Sequence, residues 1–171
     1  MTKSAQSNLS TFIIFVVEPA LEQFSIHTVP DSFSFVDKLK SLNLSQPNNF
    51  MVLFDIKSLF ANVLLAEVLS ICLDQLYNSD LLQPPFPRSL CNDMLCMATK
   101  NVKFSLNDLM FCQVHGVAME SPLGPILAYI RVDYDENIFL SIDNGKPLAY
   151  YRYVDDVIVS KQCKQLFYFA K

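Results

Sequence analysis

The chain has 171 residues, of which 51% are hydrophobic, and a formal net charge of −4 at pH 7. This length and apolar content favour a folded chain over a disordered one and suffice for one domain with a real core. The acidic charge argues against a free-standing nucleic-acid-binding module, because such modules usually carry a basic stripe. The apolar run at residues 12–17 is too short to cross a bilayer, and no cleavage-site pattern follows it, so we expect no membrane span and no signal peptide.

The first third of the chain predicts two helices and a strand. Apolar residues recur at helical spacing over residues 8–24, which is typical of an amphipathic helix. Asp31 is well placed to cap a second helix, and residues 46–49 have the composition of a turn. The continuous apolar run at residues 50–54 then predicts a buried strand that ends at Asp55.

The middle of the chain predicts helices around one hairpin. Apolar stripes indicate helices over residues 65–76 and 87–98. Alternating residues on both sides of Asn107 and Asp108 predict a hairpin, and a helix is expected over residues 123–142. The order of strand, helices, hairpin, helix and final hairpin predicts an α+β fold with helices layered on a sheet.

Two adjacent acids occur near the end of the chain. A predicted turn at residues 143–147 is followed by Tyr153, Val154, Asp155 and Asp156, between two runs rich in aromatic and β-branched residues. Neighbouring carboxylates repel, and a hard divalent cation relieves that cost. A metal at a hairpin tip would suit two-metal phosphoryl transfer. The alternative is an ordinary turn, in which aspartate is common for local reasons.

Asp55 is a third candidate carboxylate. It lies at the end of a predicted strand, where a side chain can project from the edge of a sheet. Only a fold that pairs this strand with the later hairpin could bring Asp55 to Asp155 and Asp156. The alternative is that Asp55 only caps the segment that follows it.

Three segments resemble reverse transcriptase motifs in the expected order. FDIKSLFANV (54–63) resembles motif A, GVAMESPLGP (116–125) resembles motif B, and YVDD (153–156) resembles motif C. The sequences of these motifs are similar to those of the reverse transcriptases of Penelope-like retroelements, and the resemblance covers roughly residues 4–162. Three ordered motifs are more specific than any one of them. The resemblance implies a polymerase palm, an antiparallel sheet with helices packed on one face, in an RNA-directed DNA polymerase.

The resemblance assigns the catalytic and metal-binding residues. It implies that Asp55, Asp155 and Asp156 are the catalytic acids. It also implies that these acids and the backbone carbonyl of Ile56 hold Mg²⁺ or Mn²⁺, with Asp156 in a more supportive role.

The resemblance also assigns the residues that contact nucleotide and template. It implies that the Phe60 ring lies under the sugar and excludes a 2′-hydroxyl, although simple core packing is the alternative for this ring. It implies that Met119, Ser121, Pro122 and Tyr153 line the nucleotide and the template base.

Glu120 departs from the motif B pattern, in which glycine is expected. Glycine tolerates positive φ and allows a substrate to approach the backbone. Glutamate adds bulk and a negative charge beside a triphosphate, which indicates impaired catalysis. The alternative is sequence decay or a sequence error, without a selected role.

The resemblance implies a single partial reverse transcriptase domain over residues 1–171. We expect a helical finger and palm edge at 1–49, the palm at 50–162 and a truncated tail at 163–171. The fingers are expected to be incomplete and the thumb and GIY-YIG endonuclease absent.

The implied partners belong to the intact parent polymerase. They are an RNA template, a DNA primer and deoxynucleotides, with no stable protein partner and a nuclear location. The alternative is a catalytically dead remnant, or a domesticated module that binds nucleic acid or protein.

The cysteines do not have the spacing of a zinc site. The closest of the five, Cys91 and Cys96, are separated by four residues. We therefore expect structural thiols in a reducing compartment rather than zinc ligands or disulfides.

Overall fold

The structure is a computed structural model that describes residues 5–21, 27–42, 49–78, 83–141 and 147–162. Its elements in chain order are α1 (Ala5–Leu21), α2 (Ser32–Ser41), β1 (Asn49–Asp55), α3 (Leu59–Asn62), α4 (Leu65–Tyr77), α5 (Arg88–Thr99), β2 (Lys103–Leu106), β3 (Leu109–Cys112), α6 (Leu123–Ser141), β4 (Ala149–Tyr153) and β5 (Asp156–Gln162). The tail at 163–171 and most of the predicted turns at 46–49 and 143–147 lie outside the described residues.

The chain divides into two compact units. The first contains Met1–Ser25 and Ser58–Asp135, and the second contains Ile26–Lys57 and Glu136–Lys171. The predicted boundaries at residues 49 and 162 stay a prediction. None of the described helices is long and apolar enough to cross a bilayer.

The first unit has a helical core built by α1, α4 and α5. The stripe predicted along α4 is buried, and it meets buried positions of the other two helices. These residues are Ile13, Val17, Val68, Leu69, Cys72, Leu73, Leu76, Cys91, Leu95 and Ala98. Burying each leucine contributes about 2 kcal/mol, so this contact stabilises the unit.

The described cysteines are free thiols that differ in burial. Cys72, Cys91, Cys96 and Cys112 are all free, and the first two are buried. Desolvation raises the pKa of Cys72 to about 12, so its thiol stays protonated at neutral pH.

The predicted hairpin is the two-stranded sheet β2-β3 of the first unit. Asn107 and Asp108 both have positive φ, at 51° and 62°, which is typical of a type I′ turn. One face of this hairpin, which we call the apolar hairpin face, consists of the paired side chains of Phe104 with Phe111 and Leu106 with Leu109. All four are exposed.

The second unit contains a three-stranded antiparallel sheet in the order β1-β5-β4. Thr28 forms a parallel bridge with Arg152 of β4, which extends the sheet at that side. The α+β class with an antiparallel sheet is confirmed. The β1 strand is not buried as predicted, because it lies at the edge of the described sheet and Leu53 is 64% exposed.

Helical segments of the second unit contact both faces of its sheet. Glu136 of α6 contacts Tyr150 and Arg152 on one face. The sequence prediction placed helices on one face only. On the other face, Phe35 of α2 makes an edge contact with Tyr151, with ring centroids 6.0 Å apart.

The predicted cap of α2 is present. Ser34 N–H donates to Asp31 Oδ1 at 2.7 Å, and this bond lowers the pKa of Asp31. The cap satisfies one of the amides that the first turn of a helix leaves without a partner.

Candidate active site

Asp55 and Asp156 face each other at one end of the second unit's sheet. They are register partners of β1 and β5, and Ile56 N–H donates to the Asp155 carbonyl at 2.9 Å just beyond them. That bond makes Asp55 and Asp156 a non-hydrogen-bonded pair, in which the Cα atoms are about 4.5 Å apart and the side chains share one face. The fold therefore aligns two carboxylates that are distant in sequence and places Asp155 beside them.

This alignment is unfavourable without a counter-ion. Both side chains are exposed, and like charges directly opposite in a sheet destabilise it. Carboxylate and carbonyl oxygens are the ligands that Mg²⁺ prefers, so the donor types and the backbone positions suit a divalent cation. Among the described residues, however, no group of three or more His, Cys, Asp or Glu side chains is arranged to hold a metal ion.

Tyr153 of β4 lies beside Asp156 in the sheet. Tyr153 is the register partner of Asp156 on β4, so Asp55, Asp156 and Tyr153 lie side by side across the sheet. The Tyr153 ring is exposed. The acidic row is therefore open to solvent along one face and could be reached by a ligand.

The turn between β4 and β5 has a strained backbone. Val154 has a φ of 55°, in the left-handed region, where a β-branched residue is a genuine outlier. Such strain costs roughly 1–3 kcal/mol and is found at functional sites that the surrounding structure holds in place.

The strain can be measured by comparing two valines. Val154 and Val52 are both half-buried, but Val52 lies in extended β1. Because glycine accepts positive φ, we expect Val154→Gly to lower the free energy of unfolding by roughly 1–3 kcal/mol less than Val52→Gly does. Urea denaturation of both variants measures the difference. Equal losses would show that the turn is not strained.

The first unit holds the segment that follows Asp55 against the loop that precedes α6. Val117 N–H donates to the Phe60 carbonyl at 2.9 Å. Gly116 has a φ of 73°, and a Cβ there would lie 2.5 Å from the Phe60 carbonyl oxygen and 2.8 Å from the Ala61 Cα. Only glycine fits this close approach of two backbones. The short helix α3, which carries Phe60, was not anticipated in the sequence.

The segment that resembles motif B lines a cleft of about 830 Å³ in the first unit. The lining includes Met119, Glu120, Ser121 and Pro122, together with residues of α1 and the β2-β3 hairpin. Glu120 is exposed and its φ is not positive, so the backbone does not require glycine at this position. Its effect is therefore a negative charge in a cleft where Lys103 is the cation among the described lining residues.

The predicted site residues thus fall into two groups. Asp55, Ile56, Tyr153, Asp155 and Asp156 come together at one end of the second unit's sheet. The residues predicted to contact nucleotide and template belong to the first unit; they are Phe60, Met119, Ser121 and Pro122.

Sequence reasoning missed two residues that shape these groups, Gly116 and Arg152. Arg152 lies within the apolar run that forms β4, and it is fully buried. A charged residue is almost never buried unless it is paired. An arginine inside an apolar run could therefore have predicted a buried ion pair at this position.

The fold is similar to that of telomerase. A telomerase from Candida albicans, in complex with a TWJ fragment of telomeric RNA, superposes with a TM-score of 0.66 at 14% identity, over 91% of this chain and 30% of that one. Apo telomerase from Candida tropicalis gives 0.60 at 15% identity, over 96% and 33%. The same enzyme truncated from its C-terminal domain gives 0.55 at 13% identity, over 91% and 35%.

These similarities identify the fold. The chain has a reverse-transcriptase-like fold. It spans about a third of the length of the telomerase chains. No protein-family model and no curated protein sequence matches it. The specific resemblance to Penelope-like retroelements stays a prediction.

Proposed function

We propose that this chain carries the catalytic acids of an RNA-directed DNA polymerase, of the kind found in Penelope-like retroelements. The observation that supports the proposal is the alignment of Asp55 with Asp156, beside Asp155, at one end of an antiparallel sheet. A fold without this chemistry gains nothing from opposing two carboxylates across neighbouring strands.

The acids have distinct roles in the proposed reaction. Asp55, Asp155 and the Ile56 carbonyl would hold Mg²⁺ or Mn²⁺, and Asp156 would support them. The bound cations would lower the pKa of the primer 3′-hydroxyl and offset charge on the departing pyrophosphate. Tyr153, beside Asp156 in the same row, would border the primer or the incoming nucleotide.

The first unit would supply the nucleotide and template contacts. Phe60 would exclude a 2′-hydroxyl, so that deoxynucleotides are preferred. Met119, Ser121 and Pro122, which line the cleft, would contact nucleotide and template. The substrates are then an RNA template, a DNA primer and deoxynucleotides, in a nuclear enzyme.

Primer extension tests the proposal. The protein is incubated with a labelled DNA primer on an RNA template, deoxynucleotides and Mg²⁺ or Mn²⁺, and the products are resolved by length. We expect extension that requires both the divalent cation and the RNA template. Extension that is unaffected by chelation of the cation would contradict the proposal.

A second function is favoured by Glu120. The chain could be a catalytically silent module that binds nucleic acid or protein through the same fold. Its motivation is an exposed carboxylate in the cleft, together with the lack of a three-ligand metal group among the described residues.

Replacing Glu120 distinguishes these functions. We expect Glu120→Gly to tighten binding of a labelled RNA–DNA duplex about fivefold at low salt, because one charge near a phosphate contributes about 1 kcal/mol in water. Fluorescence anisotropy at two salt concentrations measures the affinity, and Glu120→Gln separates charge from bulk. Tighter binding without primer extension favours the silent module, and unchanged binding by both variants would show that Glu120 does not face nucleic acid.

A further inference from the structure

We propose that Arg152 is a positioning residue for the turn that carries Asp155 and Asp156, and the catalytic consequence of this role rests on the polymerase function proposed above. Arg152 lies on β4, immediately before Tyr153 and the turn. It acts through the backbone of the turn and through the groups that hold its own guanidinium in place.

The guanidinium is anchored in the interior of the second unit. Arg152 is 0% exposed and Glu136 is 4% exposed, and Arg152 Nε donates to Glu136 Oε1 at 2.7 Å. The Tyr150 hydroxyl donates to the same oxygen at 2.9 Å. A charge is retained at this depth only when it is paired and hydrogen-bonded, so the ion pair fixes where the guanidinium lies.

The remaining donors of Arg152 reach two other segments. Nη2 donates to Thr28 Oγ1 at 3.0 Å, and Nη1 makes a long hydrogen bond of 3.4 Å to the Val154 carbonyl. The Arg152 backbone is held as well, since its N–H donates to the His27 carbonyl and its carbonyl accepts from Val29 N–H. The Arg152 side chain therefore links Thr28, Glu136 of α6 and Val154 in the strained turn.

These contacts favour positioning over simple stabilisation. A buried ion pair adds little net stability, and replacing it with apolar side chains is often neutral or stabilising. Glu136 Oε2 is buried with no hydrogen-bond partner among the described residues, so the pair is not optimised for stability. The Val154 backbone, by contrast, needs an external anchor, because a valine with positive φ relaxes when nothing holds it.

Hydrogen exchange tests this role without relying on catalysis. Ile56 N–H donates to the Asp155 carbonyl, so its protection reports whether the turn is in place. The double variant Arg152→Met with Glu136→Met removes both buried charges together and is expected to keep a melting temperature close to that of the parent protein. We expect the Ile56 amide to exchange about tenfold faster or more, because a hydrogen bond from a charged donor is lost. The Val159 amide, within the paired part of β5, should be unchanged.

Arg152→Lys is the second variant. It allows the exchange test to be made even if the double variant does not fold. Lysine retains the charge opposite Glu136 but lacks the planar fork that reaches Glu136, Thr28 and Val154 together. We expect faster exchange at Ile56 with Val159 unchanged. If the Ile56 and Val159 amides both exchange faster by a similar factor, Arg152 stabilises the sheet as a whole and does not position the turn. Unchanged exchange at Ile56 would overturn the proposal.

Primer extension then supplies the catalytic readout. We expect both variants to lower kcat up to about 100-fold with little change in KM for deoxynucleotide, the size of effect caused by a 1 Å misplacement. An unchanged kcat despite faster exchange at Ile56 would overturn the catalytic consequence. A parent protein that shows no extension under any condition would count against the proposed function, whereas the exchange measurements would still decide whether Arg152 holds the turn.

Discussion

Asp55→Asn is expected to abolish RNA-templated primer extension and, at the same time, to make the metal-free protein more stable. The loss of activity should exceed about 100-fold, because even residues that only support a metal ligand cost 10–100-fold. The gain in stability should be a few tenths of a kcal/mol, since an exposed repulsion from Asp156 is removed and solvent screens much of it. A variant that loses activity but gains stability is the result expected when two acids are retained for catalysis at the expense of stability.

Thermal unfolding with and without Mg²⁺ measures the effect of Asp55→Asn on stability. A ligand that binds only the folded state raises the melting temperature, so the parent protein should gain stability with Mg²⁺ and Asp55→Asn should gain less. Asp108→Asn is the matched control, because Asp108 also lies at a hairpin turn and its positive φ suits asparagine. Asp55→Asn with full extension activity, or with a lower stability than the parent in the absence of metal, would refute this role for Asp55.

Gly116→Ala is expected to destabilise the first unit strongly, although it adds only one methyl group. The new Cβ would meet three backbone atoms of Phe60 and Ala61 within 2.9 Å, and the φ of 73° is itself unfavourable for alanine. Strain and overpacking together should cost about 2 kcal/mol or more, and the melting temperature should fall by about 5 °C or more. The Val117 bond to the Phe60 carbonyl should weaken, because the two backbones must separate.

Asn107→Ala separates the two causes. Asn107 also has positive φ, at 51°, but it lies in the exposed turn of the β2-β3 hairpin. Its substitution should therefore show the conformational cost alone, roughly 1 kcal/mol. If differential scanning fluorimetry gave equal shifts for both variants, the close approach of the Gly116 loop to Phe60 would not matter for stability.

Local patterns predicted the elements of this fold well. Asn107 and Asp108 predicted the hairpin because their side chains tolerate positive φ, and the α4 stripe predicted a helix because its spacing matches one turn. The convergence of Asp55 with Asp155 and Asp156 could be anticipated only from motif order, since strand pairing is a long-range property.

Tertiary context decided the remaining features. The β1 strand was predicted to be buried because its sequence is apolar, yet its exposure depends on its place at the edge of the described sheet. The role of Gly116 depends on a neighbouring backbone, and the burial of Arg152 depends on Glu136 from a distant helix. None of these partners is encoded within a few residues, so periodicity and turn composition carry no information about them.

The apolar hairpin face has a practical consequence for every measurement above. Its four large side chains are exposed on a ribbon in which β2 and β3 pair only with each other among the described strands. Ribbons of this kind invite strand addition by a neighbouring molecule, and the resulting clusters remove protein from solution. A preparation that has clustered would look like an inert enzyme, so sedimentation velocity should accompany each assay. A charged residue at Leu109 would be the first remedy if large species appear.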